Sequence, residues 1–284
     1  QIYVSQDSGE TWTPRETNRN WRAVASSANG VKLVAVVGGG QIYTSVDSGV
    51  TWTPRETNRN WRAVASSADG VKLVAAATSE YIYTSSDSGV TWVRLNSYGY
   101  WSALACSADG SKLIVIASDG YIFFSPDTGA NWTAWESKSW QAACCAADGT
   151  RLFATASDGT IYTSTDWGLT RSEMGYSEPC YSLACSGDGS VLLRGLSRGP
   201  MISTDGGGTW MQYDRSPGET MAKVASSADG TMLMGVGSRS SYIYTSTAVV
   251  RHGMKGKMGS SLELQYVGNG TYMTLSSQGN VIAY

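Results

Sequence analysis

The sequence predicts an all-β fold, a seven-bladed β-propeller with four-stranded antiparallel blades, and three observations carry that prediction. A string of the form SxDxGxTW returns about every 40 residues, a second turn of the form Asn-Gly or Asp-Gly returns with the same period, and no stretch holds a sustained helical periodicity. Repetition on this scale marks an array of supersecondary units, and four short strands per unit fit one propeller blade. A β-solenoid repeats in shorter coils and needs caps on its end repeats, so it stands second.

The elements follow in order along one unit. Short apolar runs flank Asn29-Gly30, Asp69-Gly70, Asp109-Gly110, Asp148-Gly149, Asp188-Gly189, Asp229-Gly230 and Asn269-Gly270. Asn and Asp followed by Gly tolerate the positive φ of a tight hairpin turn, so each pair joins two strands, as in "WRAVASS" and "KLVAVV". "QIYTS" supplies a third strand and "TWTPR" a fourth, with SxDxGxTW as the hairpin between them. That string begins at Ser5, Ser45, Ser85, Ser125, Ser164 and Ser203, with Asn131 in the Thr place and Arg171 in a Trp place. A seventh copy at 242–248 keeps the strand lead-in but has Ala248 where Asp belongs. The chain opens on third- and fourth-strand sequence and ends on first- and second-strand sequence. The two ends are therefore expected to share one blade and close the ring, with residues 2–5 and 281–284 competing for the third-strand place. A single domain is expected over 1–284, with 249–261 as an irregular insertion.

SxDxGxTW resembles the Asp-box, or BNR, repeat of sialidases, sortilin-type receptor domains, some glycoside hydrolases and a photosystem assembly factor, and it recurs over nearly the whole chain. The resemblance implies a propeller in which the motif is structural and lies on the face away from the functional site. Asp7, Asp47, Asp87, Asp127, Asp166 and Asp205 would then brace their turns through backbone N–H groups. Trp12, Trp52, Trp92, Trp132 and Trp210 would fill the space between blades.

Composition narrows the function classes. A formal charge of −2 gives no electrostatic reason to expect nucleic acid, and no apolar stretch is long enough for a spanning helix. Eleven Trp and sixteen Tyr against three Phe, with much Gly, Ser and Thr, fit a secreted or extracellular β-protein, although this sequence carries no signal peptide. The sequons at Asn131 and Asn269 point weakly the same way. Cys106, Cys144, Cys145, Cys180 and Cys185 have no metal-ligand spacing and read as small buried residues. The single histidine, His252, lies in a basic, Gly-rich segment with no carboxylate near it in sequence, so a Ser/His/Asp triad is not credible. No metal and no cofactor is expected.

Function is expected on the face formed by the links between blades and the loops between second and third strands, because loops on a rigid scaffold vary in chemistry. The string "TWTPRETNRNWRAVASSA" stands at 11–28 and again at 51–68. It places Arg15, Asn18, Arg19, Arg55, Asn58 and Arg59 on that face, with Tyr81 and Tyr121 as stacking partners. Guanidinium forks beside amides and aromatic plates suit sugar hydroxyls, carboxylates or a partner's backbone. An ordinary solvated linker whose Arg and Glu pair with one another explains the same residues. Trp21, Trp61, Trp101, Trp140 and Tyr181 open the innermost strands at equivalent places and read as packing between blades. The expected function is a non-catalytic binding propeller recognising glycans or cell-surface or matrix ligands. A structural or protein-interaction scaffold is the alternative, and a glycoside hydrolase ranks third because the Arg and Glu repeat with the blades. Recent duplication alone also accounts for the identical copies.

Overall fold

The runs beside each Asp-Gly turn are apolar and rich in β-branched residues, which suit a pleated and largely buried surface. The structure, a computed structural model, describes residues 1–6, 11–175, 178–212 and 220–237, together with the backbone strands Ile243–Thr247, Met254–Gly256, Leu264–Tyr266, Tyr272–Thr274 and Val281–Ala283. Among the described residues every helix-or-strand element is a β-strand, and no helix is long and apolar enough to cross a membrane.

Units are numbered here by their first strands. Unit 1 opens at Trp21–Ser26, units 2 and 3 at residues 61–66 and 101–106, and unit 4 at Trp140–Cys145. Units 5, 6 and 7 open at Cys180–Cys185, Met221–Ser226 and Leu264–Tyr266. In unit 4 the first strand pairs antiparallel with Leu152–Ala156, that strand with Ile161–Ser164, and that in turn with Ser172–Glu173. Unit 5 repeats the order, and unit 6 shows three strands among the described residues. Second strands such as Leu113–Ala117 and Leu152–Ala156 are buried along their whole length, as expected of short continuous apolar runs.

The two ends of the chain do share a sheet. Its order is Thr13–Arg15, Ile2–Ser5, Tyr272–Thr274, Leu264–Tyr266, with Val4 opposite Met273. Residues 2–5 therefore hold the third-strand place, and Val281–Ala283 pairs instead with Met254–Gly256. The rest of the expected insertion at 249–261, His252 included, lies outside the described residues, as do Asp7 and the Asn269-Gly270 turn.

Packing is arranged between units rather than around one centre. Ile2 and Val4 pack with Trp21, Val24 and Leu33 of unit 1. Ala25 and Val34 of unit 1 pack with Trp61 and Val64 of unit 2, and the pattern continues to the cluster of Phe153, Leu183 and Leu192 between units 4 and 5. Trp52, Trp92, Trp132 and Trp210 each sit half-buried against one of these clusters. First strands of consecutive units lie side by side, and Leu264–Tyr266 touches both Met221–Ser226 and Trp21–Ser26.

A chain of backbone hydrogen bonds also crosses the unit boundaries at the Asp-Gly turns. The N–H of Ala28 donates to the Ala68 carbonyl at 2.7 Å, Ala68 to Ala108 at 2.7 Å and Ala108 to Ala147 at 2.8 Å. Ala147 then donates to Gly187 and Gly187 to Ala228, both at 2.7 Å. Every bond runs in the same sense, from one unit to the next, and together they form a collar through six units.

The SxDxGxTW strings fold as hairpins with one repeated set of hydrogen bonds. The Ser45 hydroxyl donates to Asp47 at 2.7 Å and accepts from the Gly49 N–H at 2.9 Å. Asp47 accepts from the Thr51 N–H at 2.9 Å and from its hydroxyl at 2.5 Å, while the Trp52 indole donates to the Gly49 carbonyl at 3.0 Å. Asp87, Asp127, Asp166 and Asp205 make the equivalent contacts. At Asn131 the side-chain amide that a sequon would offer to a glycan donates to Asp127. Arg171, in a Trp place, lies 5.4 Å from the ring centres of Trp135 and Tyr162 and pairs with Glu136.

These contacts hold the carboxylates in their charged form. Hydrogen bonds from the Thr91 hydroxyl and N–H and from Ser85 bring Asp87 down to about 2, and Thr170 and Ser164 do the same for Asp166. A carboxyl whose folded pKa lies below its unfolded value stabilises fully above the unfolded value, near 3.9, and loses that contribution as pH falls through the folded one. The melting temperature is therefore expected to be level above about pH 5 and to fall between about pH 4 and pH 2. The double variant Asp87→Asn, Asp166→Asn should show a shallower acid limb in thermal melts, and a limb of unchanged slope would refute the assignment.

Candidate functional site

The links between units do not all take one form. Between Ala117 and Ile122–Ser125 residues 118–121 form a turn at Asp119-Gly120, whereas the equally long loops of units 1 and 2, at 38–41 and 78–81, continue as strand. Those loops pair with the outgoing link of their own unit: Gly38 with Asn60 and Gly40 with Arg59, then Thr78 with Tyr100 and Tyr81 with Tyr98. Strands of 13 and 14 residues result, at Leu33–Ser45, Thr53–Ser66, Leu73–Ser85 and Val93–Cys106, and they join units 1 to 3 in one eight-stranded sheet. The link at 56–60 is thus a strand, where the sequence suggested a loop, because Gly38 and Gly40 offer it a ladder. Its copy at 16–20 is not part of a strand.

The structure places the sequence-selected residues among contacts within the chain. Arg19 pairs with Glu16 at 3.2 Å and its guanidinium lies 4.7 Å from the Tyr43 ring centre. Arg59 repeats this with Glu56 at 3.6 Å and Tyr83 at 4.8 Å, and adds Glu80 at 2.8 Å. Burial lowers the Arg59 pKa, but the Glu80 hydrogen bond and the charges of Tyr83, Glu80 and Glu56 together outweigh it and leave the guanidinium above its ordinary value. Arg55 donates to the Thr44 hydroxyl at 3.2 Å, and Arg15 is half-buried. Asn18 accepts from the Gln1 nitrogen at 3.0 Å, while Asn58 is exposed. Tyr81 packs edge-on to Tyr98 and carries Arg94 over its ring at 4.3 Å. Tyr121 is exposed and lies 6.3 Å from Phe123, away from the arginines of the two copies.

Two other arginines face open space. The ladder pairs Trp21 with Val37 and Ala23 with Val36, so Arg22 sits in a bulge, and its side chain lies over Gly38, where an added Cβ would stand 2.8 Å from Arg22 Nε. Arg62 occupies the same place in unit 2. Both are exposed, and neither forms an ion pair with a described residue. They border a cavity of about 410 Å³ with Asn20, Asn60, Ser79 and Ser118. A second cavity of about 260 Å³ joins Arg22 and Arg62 to Ser102 and Lys223 above a floor of Val24, Val64 and Leu104. No carboxylate lines either cavity among the described residues. The arrangement offers cationic forks and amides beside an apolar opening, a chemistry that suits an anionic partner.

The same bulge corrects one sequence alignment. Cys180 pairs with Leu196 and Ser182 with Gly195, so Cys180, not Tyr181, is the equivalent of Trp21, and Tyr181 occupies the bulge and is exposed. In unit 5 the buried aromatic is replaced by a thiol.

No protein-family profile matches the chain, and no curated protein does. Solved structures do. YCF48 from Cyanidioschyzon merolae aligns with a TM-score of 0.69 at 16% identity, over 95% of this chain and 97% of that one. The β-propeller domain of Cps50 (Swd1) from Myceliophteria thermophila aligns with a TM-score of 0.63 at 14% identity, over 79% and 81%. The fold is that of a β-propeller. A second YCF48 structure, bound to a D1 peptide, aligns with a TM-score of 0.66 at 14% identity over 95% of this chain and 93% of that one. At these identities the likeness carries the propeller fold and nothing of the site.

Proposed function

We propose that the protein is a non-catalytic interaction propeller of seven blades, six of them carrying an Asp box, that holds an extended acidic segment of another polypeptide on its linker face. The observation that carries the proposal is the pair of exposed guanidinium groups, Arg22 and Arg62, without an ion pair among the described residues and beside the amide-lined cavity between units 1, 2 and 3. Gly38, Asn60, Thr78 and Ser79, from the long strands of units 1 and 2, line that cavity. A peptide bound to a protein of the same fold, YCF48, is consistent with a polypeptide ligand. Contacts between consecutive first strands, and the sheet shared by the chain ends, favour seven blades in a closed ring.

Selection from a displayed library of random peptides tests this reading, with a glycan array run in parallel. Acidic peptides are expected to be enriched. Each charge-assisted hydrogen bond contributes about 1.5–3 kcal/mol, so Arg22→Ala with Arg62→Ala should weaken a selected peptide by roughly 100-fold or more while the circular dichroism spectrum stays unchanged. Arg19→Ala with Arg59→Ala, which removes contacts internal to the chain, should weaken it much less. Glycan hits competed away by free sugar, with no peptide enriched, would reverse the proposal in favour of a lectin.

A further inference from the structure

Four of the five cysteines line one cavity of about 380 Å³ along the first strands: Cys106, Cys144, Cys145 and Cys185. Their ladder positions show which of them meet. Cys106 pairs with Leu113, Cys145 with Leu152 and Cys185 with Leu192, so all three stand where units 1, 2 and 6 have Ser26, Ser66 and Ser226. Cys144 stands one residue earlier, where the other units have Ala25, Ala65, Ala105, Ala184 and Ala225.

Packing between units joins the earlier place of one unit to the later place of the next. Ala65 and Cys106 share a cluster, Ala105 and Cys145 share another, and Cys144 and Cys185 share a third with Phe153, Leu183 and Leu192. The repeat therefore sets an alanine against a cysteine at the other two boundaries traced in this way. Only between units 4 and 5 does it set thiol against thiol: Cys144 and Cys185 pack against the same cluster and line the same cavity, and Cys185 acts on the Cys144 thiol. Cys180, the fifth cysteine, is buried elsewhere and donates to the Ser182 carbonyl at 3.2 Å.

We infer that Cys144 and Cys185 form a disulfide on oxidation, a covalent staple between units 4 and 5 facing the axial cavity. Hydrogen peroxide is small enough to enter that cavity and supplies the oxidising equivalents. One sulfur attacks a peroxide oxygen, the O–O bond breaks, and a sulfenic acid and one water form. The second thiol attacks the sulfenic sulfur, the S–S bond forms, the S–O bond breaks, and a second water leaves. In sum two thiols lose two electrons and two protons while one peroxide becomes two waters. The product is neutral, which suits a cavity lined, among the described residues, by alkyl, thiol and hydroxyl groups with no charged side chain. Burial holds the Cys144 thiol well above its ordinary pKa, so the thiolate is scarce and the reaction is slow at neutral pH.

The full chain, reduced and then treated with peroxide, tests the inference. Non-reducing peptide mapping with fragmentation should find Cys144 joined to Cys185, and the melting temperature should rise by roughly 5 °C and fall back on reduction. Cys144→Ala and Cys185→Ser install the residues that other units carry at those places, so both variants should fold, and each should abolish the cross-link and the rise. Cys145→Ser and Cys106→Ser should retain them. A bridge mapped to Cys145 or Cys106, oxidation to sulfinic acid with no bridge, or a rise that survives in Cys144→Ala would overturn the inference.

Discussion

Gly159→Ala is expected to destabilise the protein by more than about 3 kcal/mol, whereas Gly175→Ala should cost only about 1 kcal/mol. Both glycines have positive φ, 87° and 62°, so both substitutions carry the strain of a left-handed alanine. They differ in space. A Cβ on Gly159 would stand 1.9 Å from the Glu178 carbonyl oxygen and 2.2 Å from its carbon, while a Cβ on Gly175 meets nothing within 4 Å. The obstacle at Gly159 is backbone, which cannot swing aside as a side-chain tip does, so the link entering unit 5 must move. Urea denaturation followed by tryptophan fluorescence separates the two variants, and equal losses would show that the close approach is relieved cheaply.

Ala108→Pro should cost at least about 2 kcal/mol although proline fits the local turn. The Gly110 N–H donates to the Ser107 carbonyl at 2.9 Å, which makes Ala108 the second residue of a four-residue turn, a place where proline's φ is at home. What proline removes is the N–H that reaches the Ala147 carbonyl in unit 4, and its ring carbon is thrust toward that oxygen. Ala108→Gly keeps the donor and should cost under about 1 kcal/mol. If thermal melts placed the proline variant level with the glycine variant, the collar would be contributing nothing measurable.

Turns were the most legible part of this molecule because their chemistry is local. Asp69-Gly70 and Asp109-Gly110 announce hairpins whatever surrounds them, and Asp47 finds its partners Ser45 and Thr51 within four residues. The pairing of Ile2–Ser5 with Tyr272–Thr274 was legible from repeat phase alone, since a unit begun at one end must be completed from the other. Register was not. The bulges at Arg22, Arg62 and Tyr181 depend on how a first strand settles against its second strand, and no residue type marks them, so Tyr181 passed for the equivalent of Trp21.

The candidate site was harder to read for a related reason. Arg19 and Arg22 stand three residues apart in one copied string, yet Arg19 meets Glu16 and Tyr43 while Arg22 faces a cavity. Whether a guanidinium is available to a partner is decided by neighbours from other strands, and a linear string does not display them. The two copies of PRETNRN make the same point, since one is drawn into a ladder by Gly38 and Gly40 and the other is not.

The collar has a bearing on how such a chain lengthens. Each of its bonds asks one thing of a unit, that its turn present an N–H forward and a carbonyl backward, and the identity of the neighbour does not matter. A whole unit copied into the array arrives with both groups already spaced for the bonds on either side. The duplicate then inherits its place at once, before any residue in it has diverged. Insertions of part of a unit lack that property, because they shift one donor away from its acceptor and open the circuit. Near-identical neighbours such as residues 11–35 and 51–75 are what growth under this rule leaves behind.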